Sequence, residues 1–312
     1  MTILFYTTFS DERIWKKEIK KKFKRNNIIS VNDKKYFSKV KYAIVWNLPD
    51  NILKQLNNLK IIFSQGAGVD HILNLPSYKK TPIIRLKDPI MAERMTNYVL
   101  SQILNFQLNL SIYSKSQDKK IWIDDLESLT PLENRDLTIG ILGTGFLGTY
   151  VGKFLKKINY KVIGFKKNKT SKKLGFPIYY NKNINKFIAS SDIIIAILPS
   201  TKNTKNFINK SFLSKMKKKS LLINVGRGIT VNDKDLIQHL RLNNSFYASL
   251  DVFSKEPLAK SSMFWAHSNV SITPHIASIT VVKSAVNQIY ERYKQYKKTG
   301  NIVSDVNIKD GY

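Results

Sequence analysis

The stretch Thr138-Ile-Gly-Ile-Leu-Gly-Thr-Gly-Phe-Leu-Gly148 decides the fold. The apolar run from Leu137 to Leu142 reads as a buried strand. It runs straight into Gly143-Thr144-Gly145-Phe146-Leu147-Gly148, and a helical pattern follows with Val151, Phe154, Leu155 and Ile158 on one face. Strand, three spaced glycines, then helix is the order a diphosphate site requires. Gly143 permits a tight turn, Gly145 lets backbone approach the pyrophosphate, and Gly148 lets the helix pack close to the strand. The helix N-terminus offers unpaired N–H groups to the anion. A glycine triplet alone is weak evidence; here the flanking strand and helix both support it.

Outward from this stretch the chain alternates strand and helix in both directions. Downstream, strands are expected at Lys161–Phe165, Asp192–Ile197, Ser220–Val225, Phe246–Asp251 and Val270–Ile272, with helices between them. Upstream, Ile3–Tyr6, Ile28–Val31, Tyr42–Val45, Leu59–Ser64 and Ile83–Arg85 read as strands. Asp11–Arg25 reads as an amphipathic helix carrying Trp15, Ile19 and Phe23 on one face. A long periodic stretch from about Ala92 to Tyr113 predicts a connecting or interface helix. The last helix, about Val281 to Lys298, is long enough to return to the first domain. The predicted organisation is therefore α/β throughout, with a cofactor domain at 100–285 inserted into a substrate domain made of 1–99 and 286–312.

At 312 residues the chain is long enough for two domains with large cores. It contains no cysteine, which excludes disulfides, thiolate catalysis and thiolate metal sites. No His-Glu-x-x-His pattern or histidine cluster suggests another metal site. The first residues lack a basic signal-peptide region and read as a strand, and no apolar run approaches a membrane span; a cytoplasmic location is the expectation. The formal charge of +30 comes mainly from scattered lysines. Such a surface suits nucleic acid, but no nucleic-acid motif accompanies it, so no specific nucleic-acid or membrane partner is expected.

Selectivity between the two nicotinamide dinucleotides is readable after the second strand of the cofactor domain. An NAD site usually carries an Asp or Glu there to bind the adenosine ribose. This chain has Lys166-Lys167-Asn-Lys169 and no acid. Lysines attract a 2′-phosphate, so NADPH/NADP+ is the preferred cofactor and NADH/NAD+ the alternative. Three more surface lysines in a lysine-rich chain are the competing explanation.

Four histidines are present. His71 follows Asp70 in a predicted loop, His239 sits in a helical pattern and His267 in a polar turn. His275 differs: it follows Thr273-Pro274 at the end of a strand, where ligands bind in open parallel sheets. Arg227, between two glycines at another strand end, has a fork geometry suited to a carboxylate. Asp251 and Glu256 lie just past a third strand end. A carboxylate beside a histidine favours the imidazolium, which then donates a proton.

These motifs together resemble the D-isomer specific 2-hydroxyacid dehydrogenase family. They are Gly66-Ala-Gly-Val-Asp70, the glycine stretch, Leu198-Pro199, Asn224-Val-Gly-Arg-Gly228, Leu250-Asp-Val-Phe253, Glu256-Pro257 and Thr273-Pro-His275. Within the family the chain is most similar to the bacterial glyoxylate/hydroxypyruvate reductase A group. The residues that carry this likeness are Phe63-Ser-Gln-Gly-Ala-Gly-Val-Asp70, Trp46 before Pro49, Met91-Ala-Glu93 and the ending Asp310-Gly-Tyr312.

The resemblance implies a Rossmann cofactor domain inserted into a flavodoxin-like substrate domain, two doubly wound parallel sheets in all. It implies reduction of small 2-oxo acids such as glyoxylate and hydroxypyruvate, and a homodimer with interface candidates in the helix from Ala92 and the segment Ser114–Glu133 around Trp122. It also implies roles. Arg227 binds the substrate carboxylate and polarises its carbonyl, His275 protonates the carbonyl oxygen, and Glu256 holds and tunes His275. Backbone N–H groups of Ala67, Gly68 and Val69 cradle the carboxylate, and Trp46 lines the pocket. Leu198, Pro199, Val225 and Gly226 line the dinucleotide with the glycine stretch, and Asp251 contacts the nicotinamide amide. A dinucleotide-sensing protein of the same fold without significant turnover is the alternative.

Overall fold

The computed structural model describes every residue except 125–128, 170, 172 and 309. The chain forms two compact units, one of Met1–Met91 with Thr280–Tyr312 and one of Ala92–Ile279. Both crossings come earlier than the expected 99/100 and 285/286. The reason lies in packing: Met95, Val99 and Ile103 are buried in the core of the second unit, whereas Val282 and Ala285 are buried in that of the first.

The first unit holds five strands: β1 (Thr2–Tyr6), β2 (Asn27–Ile29), β3 (Val40–Val45), β4 (Ile61–Ser64) and β5 (Ile83–Ile84). Their order is β2-β1-β3-β4-β5, and every pairing is parallel. This is the doubly wound flavodoxin-like order. One face is covered by two helices. Trp15 and Ile19 of helix Glu12–Lys22, with Phe23 at its end, pack with Val282, Ala285, Val286, Ile289 and Tyr293 of helix Val282–Thr299. The latter spacing places five side chains on one helical stripe, so the returning helix is part of this unit's core.

The second unit holds seven strands: β6 (Thr138–Leu142), β7 (Lys161–Lys166), β8 (Ile178–Tyr180), β9 (Ile193–Ala196), β10 (Ser220–Asn224), β11 (Phe246–Leu250) and β12 (Val270–Ile272). Their order is β12-β11-β10-β9-β6-β7-β8, again all parallel. The chain starts at β6, winds out to β8, then reverses from β9 to β12. That reversal is the Rossmann switch point. Alternation explains how a continuous apolar strand serves two faces. Ile193 and Ile195 enter one core cluster, Ile194 and Ala196 the other.

Two elements depart from the sequence reading. The periodic stretch expected as one helix from Ala92 to Tyr113 is two helices, Pro89–Gln107 and Leu110–Asp118. Asn109 breaks them with a left-handed backbone (φ 55°), a conformation asparagine tolerates better than most residues. Edge strand β8 has no counterpart among the expected strands; it is three residues long, directly follows Pro177 and is half-buried throughout. Part of the interface candidate Ser114–Glu133 lies outside the described residues. Among the described residues no helix is long and apolar enough to cross a membrane.

Candidate active site

The glycine loop sits at the carboxyl end of β6, at the switch point. Gly143 has φ +107°, and a Cβ there would lie 2.6 Å from the Ile197 carbonyl oxygen. Its N–H reaches the Phe165 carbonyl at the end of β7. A Cβ at Gly145 would meet nothing within 4 Å, so the space above this residue is open in front of helix Phe146–Lys157. Thr144 is buried, and its Oγ1 has no hydrogen-bond partner among the described residues. This open cradle at a helix N-terminus fits a pyrophosphate. Lys166 ends β7, and exposed Lys167 and Lys169 follow it.

Three further strand ends supply the polar side chains. After β10, buried Asn224 turns its side chain onto the following loop. Its Oδ1 accepts the Gly226 N–H (3.2 Å) and its Nδ2 donates to the Arg227 carbonyl (3.3 Å). The glycines on either side of Arg227 answer to neighbouring backbone. A Cβ at Gly226 would lie 2.7 Å from the Leu198 nitrogen, and one at Gly228 would overlap the Phe253 carbonyl. The Arg227 loop is therefore pressed between the loop carrying Leu198 and Pro199 and the loop that leads to Glu256. Val225 ties to the first of these strand ends through its N–H to the Ala196 carbonyl.

Glu256 uses both carboxylate oxygens. Oε2 meets His275 Nδ1 at 2.8 Å, and Oε1 accepts the Phe253 N–H at 2.9 Å. Burial pushes this carboxyl up, but the His275 and Phe253 hydrogen bonds and the charges of His275 and Arg227 outweigh it. The net result lies below the ordinary carboxylate value. Arg227 adds its positive charge to the field felt by Glu256. Nε2 of His275 has no hydrogen-bond partner among the described residues, and the side chain is 45% exposed. The ring can pass a proton at Nε2 while Nδ1 is held by a carboxylate.

His275 itself sits in a left-handed backbone conformation (φ 56°), uncommon outside glycine. Asp251 enforces it. The Asp251 carbonyl accepts the His275 N–H at 2.8 Å. Its carboxylate, 1% exposed, accepts Thr273 Oγ1 (2.6 Å) and the N–H groups of Ile276 (2.8 Å) and Ala277 (2.9 Å). Asp251, which the family resemblance assigns to the nicotinamide amide, makes these bonds to the loop that carries His275. Asn224 and this use of Asp251 escape the sequence reading. The signal for Asn224 is an Asx residue at a strand end before glycine, the usual chemistry of a side-chain-capped turn.

The remaining predicted residues lie in the first unit. Gly66, Ala67, Gly68 and Val69 form the turn after β4, and helix Asp70–Leu73 follows at once, so His71 is helical rather than in a loop. Trp46, just past β3, contacts His71 with ring centroids 4.1 Å apart and stacks on Phe9 at 5.0 Å. His239 packs edge-on against Phe246 at 4.6 Å.

Comparison with known proteins agrees with this geometry. Residues 100–277 match the model of the D-isomer specific 2-hydroxyacid dehydrogenase NAD binding domain. The chain is 31% identical to glyoxylate/hydroxypyruvate reductase A of Photorhabdus laumondii, with 100% of both chains covered. Among solved structures, a D-isomer specific 2-hydroxyacid dehydrogenase from Xanthobacter autotrophicus in complex with NADPH and MES superposes with a TM-score of 0.91. It has 27% identity, and 100% of this chain and 99% of that one are covered. An NADPH-dependent glyoxylate/hydroxypyruvate reductase from Sinorhizobium meliloti, in complex with NADP and sulfate, gives a TM-score of 0.90 at 27% identity, with the same coverage. Sheet order, strand-end side chains and full-length similarity agree: this chain belongs to the D-isomer specific 2-hydroxyacid dehydrogenase family and is an oxidoreductase of 2-hydroxy acids.

Proposed function

We propose that the protein is an NADPH-dependent reductase of small 2-oxo acids, converting glyoxylate to glycolate and hydroxypyruvate to D-glycerate. The observation that carries this reading is the 2.8 Å contact of His275 Nδ1 with Glu256, with Arg227 close enough to lower the Glu256 pKa. Arg227 binds the substrate carboxylate and draws electron density from the adjacent carbonyl. His275 delivers a proton to that carbonyl oxygen from Nε2, and Glu256 holds the ring in place through Nδ1. In the first unit, the family resemblance assigns carboxylate binding to the N–H groups around Ala67, Gly68 and Val69. The reduced nicotinamide, when bound, supplies the hydride. Gly145 leaves room for its pyrophosphate, and Lys166, Lys167 and Lys169 supply positive charge for a 2′-phosphate where no acid opposes it. The NADPH and NADP complexes of the two superposed relatives support the same preference.

A homodimer fits the family resemblance, and Trp122, 88% exposed, is the side chain that an interface in its segment would cover. Light scattering of the purified protein reads this directly. The function is tested with glyoxylate and hydroxypyruvate against both NADPH and NADH, compared by kcat/KM. His275→Gln is expected to lower kcat by about 10²–10⁴-fold while NADPH still binds. Arg227→Ala is expected to raise KM and lower kcat together. Wild-type rates from the His275 variant would remove that residue from the mechanism. NADPH binding without oxidation by any 2-oxo acid would instead favour a dinucleotide sensor.

A further inference from the structure

We propose that His71, acting through Ser64, is a positioning residue that sets the carboxylate-binding turn Gly66–Val69; the inference rests on the reductase reading above. Ser64 is the last residue of β4 and is fully buried. Its Oγ donates to the Gly68 carbonyl at 3.0 Å, accepts the Gly66 N–H at 3.3 Å and lies 3.3 Å from His71 Nε2. A hydroxyl carries one proton, and the Gly68 carbonyl takes it, because a carbonyl only accepts. His71 Nε2 must then be the donor toward Ser64.

The other side of the ring gives the same answer independently. The Asn47 N–H points at His71 Nδ1 over 3.1 Å, so Nδ1 accepts. One tautomer, neutral with its proton on Nε2, satisfies every bond in the relay. It runs from the Asn47 N–H through the imidazole and the Ser64 hydroxyl to the Gly68 carbonyl. Asn47 holds its end from a left-handed backbone (φ 51°), and its side chain donates to Thr8 Oγ1 at 3.1 Å.

The same ring also buttresses Trp46, at 4.1 Å between centroids, and the indole covers the turn. A Cβ at Gly66 would lie 2.6 Å from it. The turn is thus fixed on one side by a hydroxyl and on another by an indole, and His71 touches both. With the Gly68 carbonyl turned inward onto Ser64, the turn keeps its acceptor away from an incoming carboxylate. The pairing matters because a carbonyl facing an anion would repel it.

Ser64→Ala and His71→Phe test the proposal. The first removes the hydroxyl; the second keeps a ring against Trp46 but no nitrogen. In the full-length protein both are expected to raise KM for glyoxylate about three- to tenfold. The dissociation constant for NADPH and kcat should stay within about twofold. In the nitrogen spectrum of the wild type, His71 Nδ1 should be unprotonated and Nε2 protonated. The Gly66 and Gly68 amide resonances should move in both variants. Unchanged KM, unchanged glycine amides, a protonated Nδ1, or a parallel loss of NADPH affinity would each overturn the proposal. A wild-type protein that binds NADPH but reduces no 2-oxo acid defeats the reductase reading instead. The nitrogen and glycine signals then still decide whether His71 orders the turn.

Discussion

Two glycine turns leave the ends of two parallel strands, and they are built in opposite ways. Gly143-Thr144-Gly145 follows β6, and Gly66-Ala67-Gly68 follows β4; each leads directly into a helix. In the first, the space above Gly145 is empty for 4 Å. In the second, the space above Gly66 is filled by the Trp46 indole, and the backbone groups are tied down by Ser64. One turn uses glycine to leave room for something that is not protein. The other uses it to let protein close over itself. The same residue at the same kind of strand end therefore signals two different constraints.

Substitutions can break or sharpen this contrast. The largest effect is expected at Gly143, where φ is +107° and a Cβ would press on the Ile197 carbonyl. Gly143→Ala should cost about 3 kcal/mol or more, combining backbone strain with overpacking, and denaturant unfolding measures it. Gly66→Ala comes next, at about 1–3 kcal/mol, because the displaced neighbour is a side chain. Its indole fluorescence should change as Trp46 shifts. Gly145→Ala should leave stability within about 0.5 kcal/mol and weaken NADPH binding instead. If Gly145→Ala destabilises the free protein as much as Gly66→Ala, the contrast fails.

The smallest expected effect concerns pH. The Glu256 pKa is depressed in the folded protein relative to its ordinary value of 4.5. The unfolded chain binds this proton more readily, so the pair contributes stability above 4.5 that is lost as pH falls through the depressed value. Melting temperatures of wild type and Glu256→Gln should converge on acidification below that range. The effect is modest because the Glu256 side chain is 37% exposed.

Much of this architecture is legible in the sequence because it rests on local pattern. Central strands such as β9 are short runs of isoleucine, and the glycine stretch carries strand, turn and helix in order. Edge strand β8 is easily missed there because it is only three residues long and follows Pro177, a residue that argues against a strand. The break at Asn109 is hidden too, because a single left-handed residue leaves the apolar period intact. In the site, Arg227, Glu256 and His275 stand out as strand-end residues with suitable chemistry. Their supports do not: Asn224 acts on a backbone two and three residues away, Asp251 on a loop over twenty positions downstream. His71 looks like a lone loop histidine because its partners, Asn47 and Ser64, come from other strand ends.

The discontinuous first unit has a consequence for biosynthesis. Residues Met1–Met91 leave the ribosome long before helix Val282–Thr299, which covers Trp15, Ile19 and Phe23. The intervening segment takes roughly 10–40 s to translate at about 5–20 residues per second. The continuous second unit can fold within that interval, while the nascent N-terminal sheet waits with an aromatic face uncovered. Chaperone capture of ribosome-bound chains should therefore peak before the final helix emerges and fall once it does.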